Sequence, residues 1–301
     1  MKRILILTLL LFLFNLTAPM VLSKKAATQS QPQTTEEQTT LPAAAQTATG
    51  EDALSETDGT AYDIGTLAAL MPAEYEPEAL AAQALAAKTY ERYLKQTGES
   101  AAFPPLPRLS DDELRILWGD GYDTYYAKLE AAVRKIGNAV LEYEGAAFPA
   151  VSFPLCAGRT ENSETVLGKK YGCLAGVPSD GDLLCPGLET VKRFTADAFL
   201  SALGLPRDAD RGVSVDERSE AGAVLRFTAG GKSFTGFEAA SALGLDSAAF
   251  SVSYREGEYA FTVRGKGNFL GMSRYGADYM ARQGADYKQI LEHYYPGAAV
   301  R

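Results

Sequence analysis

Histidine is almost missing from this 301-residue sequence, where His293 is the sole one. A Ser-His-Asp or Cys-His mechanism would have to bring that one imidazole to a nucleophile. The Gly-x-Ser-x-Gly turn that presents a catalytic serine in the α/β-hydrolase class is also absent. Cysteine is scarce: Cys156, Cys173 and Cys185 form no Cys-x-x-Cys pair of the kind that builds zinc sites. Neither a metal site nor a cofactor is expected. Positive charge is short as well, with 29 Lys and Arg against 38 Asp and Glu and a formal net charge of -9. That balance argues against nucleic acid, whose phosphates are met by clustered cations. Gly265-Lys-Gly267 lacks the remaining glycine and the helix context of a dinucleotide-binding turn. A neutral sugar ligand is compatible with all of these absences.

What the sequence has is apolar content, 46% of its residues, enough for a substantial core. Its start reads Met1-Lys2-Arg3, then apolar residues from Ile4 to Val21, then Ser23-Lys24-Lys25. Residues 1–23 are therefore expected to be a signal peptide or a membrane anchor, with the rest of the chain outside the cytoplasm. Residues 24–61, rich in Gln, Thr, Ala, Ser and Glu, have too little apolar surface to offset chain ordering and are expected to form a disordered linker. The folded domain is expected over 62–301. In an exported chain an odd number of cysteines leaves two arrangements open: a disulfide such as Cys173 to Cys185, or three reduced thiols.

Within 62–301, Leu67, Leu70, Met71, Leu80, Leu85, Tyr90, Tyr93 and Leu94 follow helical spacing with a break around Pro72. Further helices are expected from Asp111 to Trp118 and from Gly121 to Ile136. After Gly137 the pattern shortens to Ala139–Tyr143 and Ala147–Phe153, joined by Glu144-Gly145, which predicts a hairpin. Two segments, Phe194–Leu205 and Phe234–Leu245, align with one another, each with a Thr suited to cap a helix and a Gly suited to end it. Strands are expected at Gly212–Val215, Val224–Ala229, Phe250–Tyr254 and Tyr259–Val263, and helices at Arg274–Gln283 and Tyr287–Tyr295. The fold class is α+β: N-terminal helices, short antiparallel strands and C-terminal helices.

The run Leu70-Met-Pro-Ala-Glu-Tyr-Glu-Pro-Glu-Ala-Leu-Ala-Ala-Gln-Ala-Leu-Ala-Ala-Lys-Thr-Tyr90 closely resembles the opening motif of the SpoIID/LytB family of peptidoglycan lytic transglycosylases. Phe153-Pro-Leu-Cys-Ala-Gly-Arg-Thr-Glu-Asn162 resembles its second motif. The ending, Gly265-Lys-Gly-Asn-Phe-Leu-Gly-Met-Ser-Arg-Tyr-Gly-Ala277 followed by Ile290-Leu-Glu-His-Tyr-Tyr-Pro-Gly297, resembles the family's C-terminus. The resemblance implies a catalytic glutamate before Met-Pro, where this chain has Leu70. It also implies a His at Phe153, a His and a Gly at Asn268 and Phe269, and a Gln at Arg274. Lys88 stands where the family commonly has Arg, keeping the charge and losing the bidentate fork.

A lytic transglycosylase needs a carboxyl group to protonate the glycosidic oxygen, a contribution of about 10²- to 10⁴-fold, and leucine has no proton to give. Of the carboxylates that could substitute, Glu161 in the second motif is the best; Glu78 suits the start of a helix, and Glu74 lies beyond Pro72. The resemblance implies glycan contacts from Gln83, Lys88, Arg159, Thr160, Glu161, Asn162, Ser273 and Tyr275. It supports three readings: an exported wall protein that binds peptidoglycan glycan strands with weak or no cleavage, an active enzyme using a relocated acid, or a scaffold for wall amidases.

Overall fold

Two prolines decide where the first helices meet. Helix α1 (Glu56–Leu70) stops just ahead of Pro72. Helix α2 (Pro77–Thr97) takes Pro77 into its first turn, where the missing N–H has no partner to lose. The computed structural model describes residues 56–99 and 103–301, with side chains from Asp63 onward. The leader expected at 1–23 and most of the linker expected at 24–61 lie outside those residues, and α1 reaches back ahead of Tyr62. Among the described residues no helix is long and apolar enough to cross a membrane.

Helix α2 is buried along Ala79, Ala81, Ala82, Ala84, Ala86 and Ala87, and these small side chains let neighbouring helices approach closely. Against it pack α1, α4 (Tyr122–Ile136), α8 (Arg274–Arg282) and α9 (Tyr287–Tyr294). Ile64, Leu67, Met71, Leu80, Leu85, Leu129, Ile290 and Tyr294 form the centre of this helical core. Helix α3 (Asp111–Trp118) opens with a capping box from Ser110 and Glu113.

The C-terminal end is tied to mid-chain by β1 (Leu141–Tyr143), which pairs antiparallel with β10 (Ala298–Val300). The hairpin expected around Glu144-Gly145 is thereby corrected. Its tight turn exists, with Glu144 and Gly145 at φ of 53° and 79° and reciprocal Tyr143–Ala146 hydrogen bonds of 3.0 and 3.1 Å. The second arm, however, runs on to a different partner: β2 (Ser152–Phe153) pairs parallel with β9 (Met272–Ser273). A non-local strand won over the local one, so sequence proximity misled.

After the short helix α5 (Ser163–Leu167), the strand-rich half follows. Strand β3 (Glu189–Thr195) leads into α6 (Ala196–Ala202); β4 (Val213–Arg218), β5 (Val224–Ala229) and β6 (Lys232–Phe234) lead into α7 (Gly236–Leu243); β7 (Phe250–Arg255) and β8 (Glu258–Arg264) close it. The strands form two antiparallel three-stranded sheets in the orders β3-β8-β7 and β4-β5-β6. The two similar segments are strand-to-helix corners: Thr195 and Thr235 cap α6 and α7, and Gly204 and Gly244 follow in the left-handed region. Phe199, Phe227, Phe250, Tyr259 and Phe261 fill the core between them. The architecture is α+β.

Gly271, just before β9, sits at φ of 81°, and a Cβ there would run into the Val151 carbonyl. Gly271→Ala is expected to cost about 3 kcal/mol, combining the left-handed penalty with a backbone clash. A urea unfolding midpoint checks it.

Candidate functional site

Helix α8 grips both ends of the connection Met71–Glu76. At one end Arg274 Nη1 donates to the carbonyl of Leu70, the last residue of α1. At the other, Asp278 Oδ1 accepts from the backbone N–H of Glu76, the residue that caps α2, at 2.7 Å. Residues 274 and 278 are one turn apart and share a face of α8. The charges match the helix ends they meet: a cation at the C-terminus of α1 and an anion at the N-terminus of α2. Leu70 itself is 4% exposed and Arg274 7%. Burial draws the Arg274 guanidinium down to about 10, and its Nε–H has no partner. Beside it, burial and the charge of Asp278 push the Tyr75 hydroxyl up to about 12.

The second motif folds back on itself. Thr160 N–H donates to Val177 O at 2.9 Å, Val177 N–H donates to Thr160 Oγ1 at 2.8 Å, Gly176 N–H donates to Asn162 Oδ1 at 2.9 Å, and Arg159 Nη2 donates to Gly176 O at 3.0 Å. Glu161 is fully enclosed, its carboxylate accepting from the Ser219 hydroxyl. Burial raises the Glu161 carboxyl above its ordinary value. Of the residues expected to touch glycan, Gln83, Thr160, Glu161 and Ser273 are buried. Asn162 is exposed, and Arg159, Lys88 and Tyr275 are half-buried. Lys88 reaches the end of α4 and donates to Gly137 O at 2.7 Å, away from the motif loops.

Phe153 and Phe269, where the motif resemblance implies a His and a Gly, meet in space. The Phe153 and Phe269 rings lie 5.7 Å apart and, with Cys156, Ala221 and Ala249, form a small apolar core. Phe269 adopts φ of 63°, a conformation that costs a non-glycine residue about 1–2 kcal/mol. Asn268 turns its Oδ1 back to the Leu270 N–H at 3.1 Å.

Beneath β9 lies a buried polar network. Asp182 accepts from Cys156 Sγ and from Ser273 Oγ, both at 2.8 Å; Ser273 in turn caps α8, and Ser179 Oγ lies 2.6 Å from the Tyr294 hydroxyl. Burial raises the Asp182 carboxyl and the Cys156 thiol above their ordinary values. The three cysteines are free thiols, with no Cys173–Cys185 bond. Among the described residues no group of three His, Cys, Asp or Glu is placed to hold a metal ion. His293 Nε2 bonds the Pro178 carbonyl at 2.8 Å, and its ring packs edge-on against Tyr294.

Comparison with known sequences decides the family. The profile described as "Stage II sporulation protein" (SpoIID) matches residues 47–143. "Stage II sporulation protein D" of Bacillus subtilis is 34% identical over 251 residues, covering 79% of this chain and 73% of that protein. The protein of the same name from Bacillus amyloliquefaciens is 33% identical over the same shares. An uncharacterized protein of Brachyspira hyodysenteriae is 26% identical over 248 residues, 79% of this chain and 65% of that protein. The chain belongs to the SpoIID family.

In this SpoIID-family chain the two carboxylates that organise the site, Asp182 and Asp278, escaped the sequence reading. Asp182 sits in a loop with no motif of its own. Asp278 had a readable signal, its i+4 spacing from Arg274. Because burial raises the Asp182 pKa, its protonated form carries stability that is full below the unfolded value of about 3.9 and is lost as pH rises through the folded value. In chemical denaturation, wild type is expected to lose stability relative to Asp182→Asn as pH rises above about 4.

Proposed function

We propose that this SpoIID-family chain is an extracytoplasmic cell-wall protein of sporulation that holds peptidoglycan glycan strands without cleaving them. Sporulation enters from the names of the Bacillus relatives, and glycan strands enter from the motif resemblance. The observation that carries the reading is the group at position 70: a buried leucine whose carbonyl is held by a buried guanidinium. Where the resemblance expects a proton donor, the chain has a hydrocarbon beside a cation.

Two of the candidate carboxylates are engaged. Glu78 pairs with Lys135 and accepts from Tyr287 N–H at 3.0 Å. Glu161 is enclosed and bonded to Ser219, so no route leads from its proton to a leaving oxygen. Arg159, Asn162 and Tyr275 remain reachable for sugar hydroxyls and ring faces. Residues 1–23 attach or export the chain, and the following linker lets the domain reach into the wall.

The test incubates the full chain with glycan strands stripped of peptide stems and measures both binding and anhydro-sugar products. Binding without anhydro product is expected, weakened about tenfold by Tyr275→Ala, or about 1.4 kcal/mol. Anhydro products that vanish in Glu161→Gln would establish the relocated acid instead. Neither binding nor product would favour the scaffold for wall amidases.

A further inference from the structure

Three of the four edges of the two three-stranded sheets are guarded. Strand β4 carries register shifts between Val215 and Arg218, β6 is three residues long, and the outward carbonyl of Phe250 on β7 accepts from Arg218 Nη2 at 2.8 Å. Bulges, shortness and covering groups are the usual ways to blunt a strand edge. Strand β3 has none of them. It pairs with β8 alone, over seven residues without a bulge or a proline, and Glu189 to Arg193 are exposed throughout. Lysine is another common guard, but Lys192 Nζ is held by Leu243 O and Gly244 O at the end of α7, at 2.8 and 2.9 Å.

Hydrogen bonds just beyond both ends of β3 fix which of its backbone groups stay open. Gly265 N–H donates to Leu188 O at 2.8 Å, and Ala196 N–H donates to Gly257 O at 3.0 Å. Antiparallel pairing alternates residue by residue, so Leu188, Thr190, Lys192 and Phe194 turn their backbone groups to β8. Glu189, Val191 and Arg193 turn theirs to the free side, where they bond no other element among the described residues. A row of unpaired groups of this kind is a template for another strand.

The side chains of these three residues share one face of the sheet, in register with Arg264, Thr262 and Ala260 of β8. Val191 is 59% exposed. Glu189 lies 3.2 Å from Arg264, whereas Arg193 makes no ion pair among the described residues. The order acid, valine, base is its own complement when read in the opposite direction. With a second β3 laid antiparallel and Val191 against Val191, Glu189 of each copy faces Arg193 of the other. The half-buried Leu188 and Phe194 then face one another on the opposite face. Centring on Glu189 or on Arg193 would instead oppose like charges, which is destabilising.

We propose that β3 pairs with β3 of a second copy of this chain, antiparallel and centred on Val191, so that the two β3-β8-β7 sheets join into one. Each outward pair exchanges both of its N–H···O bonds, and the Glu189–Arg193 pairs set the register. A strand edge buries less than a standard interface, so the dimer is weak and forms at high local concentration. The pairing stands on its own residues and does not depend on glycan binding.

The test follows the full chain in nonionic detergent by sedimentation equilibrium from micromolar to millimolar concentration. Wild type is expected to show a monomer–dimer equilibrium. Glu189→Arg and Arg193→Glu each oppose like charges at both ends of the pairing and should weaken it about tenfold. Mixing these two variants should restore association to within about threefold of wild type, because every facing pair is then one acid and one base. Val191→Pro removes an N–H that bonds nothing within the chain, a change an edge strand tolerates, and should abolish the dimer with an unchanged far-UV circular dichroism spectrum. Three results overturn the proposal: a wild type that stays monomeric to millimolar concentration, a dimer indifferent to these substitutions, as association through residues 1–23 would be, or a mixture that associates no better than its components.

Discussion

The grip of α8 on the connection between α1 and α2 is the constraint from which the rest of the site follows. Arg274 and Leu70 are 204 residues apart in sequence, and their hydrogen bond closes the helical half of the molecule into a ring. A buried guanidinium without a carboxylate partner is costly. Here the carbonyl end of α1 supplies the compensating negative potential, and Asp278 completes the grip one turn further on.

Placing α8 in that position requires its first turn to be fixed, and the buried network beneath it does this. Ser273 caps the helix while donating to Asp182, which also accepts from Cys156. A side chain at Gly276 would run into the Tyr294 hydroxyl and Ser179 Oγ, so helix and network meet without a gap. The parallel β2–β9 pair joins the second motif to the same point. Positions at which the motif resemblance implies polar chemistry serve packing in this chain: a guanidinium that fastens a helix end, and two phenylalanines that fill a small core of their own.

Much of this frame was readable from the residues. The helices at Asp111–Trp118 and Tyr122–Ile136, the matched Thr-to-Gly corners at α6 and α7, and the C-terminal helices follow from capping residues and helical spacing, which are local signals. The partners of β1 and β2 were not readable, because each pairs with a segment far along the chain and each is too short to carry a pattern. The site divides the same way. Leu70, Phe153, Phe269 and Arg274 stood out individually against the family motifs, whereas the contacts that pair them, Leu70 with Arg274 and Phe153 with Phe269, exist in three dimensions alone. Burial of Gln83, Thr160, Glu161 and Ser273 was equally invisible, since a polar residue in a motif reads the same whether it faces a ligand or a neighbouring backbone group.

The central claim is that the site at position 70 is built around a cation and rejects a protonated carboxyl group. Its most direct test is to titrate the carboxyl introduced by Leu70→Glu, ¹³C-labelled, by NMR, with Arg274 intact and with Arg274→Gln. With Arg274 in place the carboxyl is predicted to ionise well below the ordinary glutamate value of about 4.3, and without it to rise above that value as burial takes over. A carboxyl that titrates above the ordinary value with Arg274 present would contradict the account.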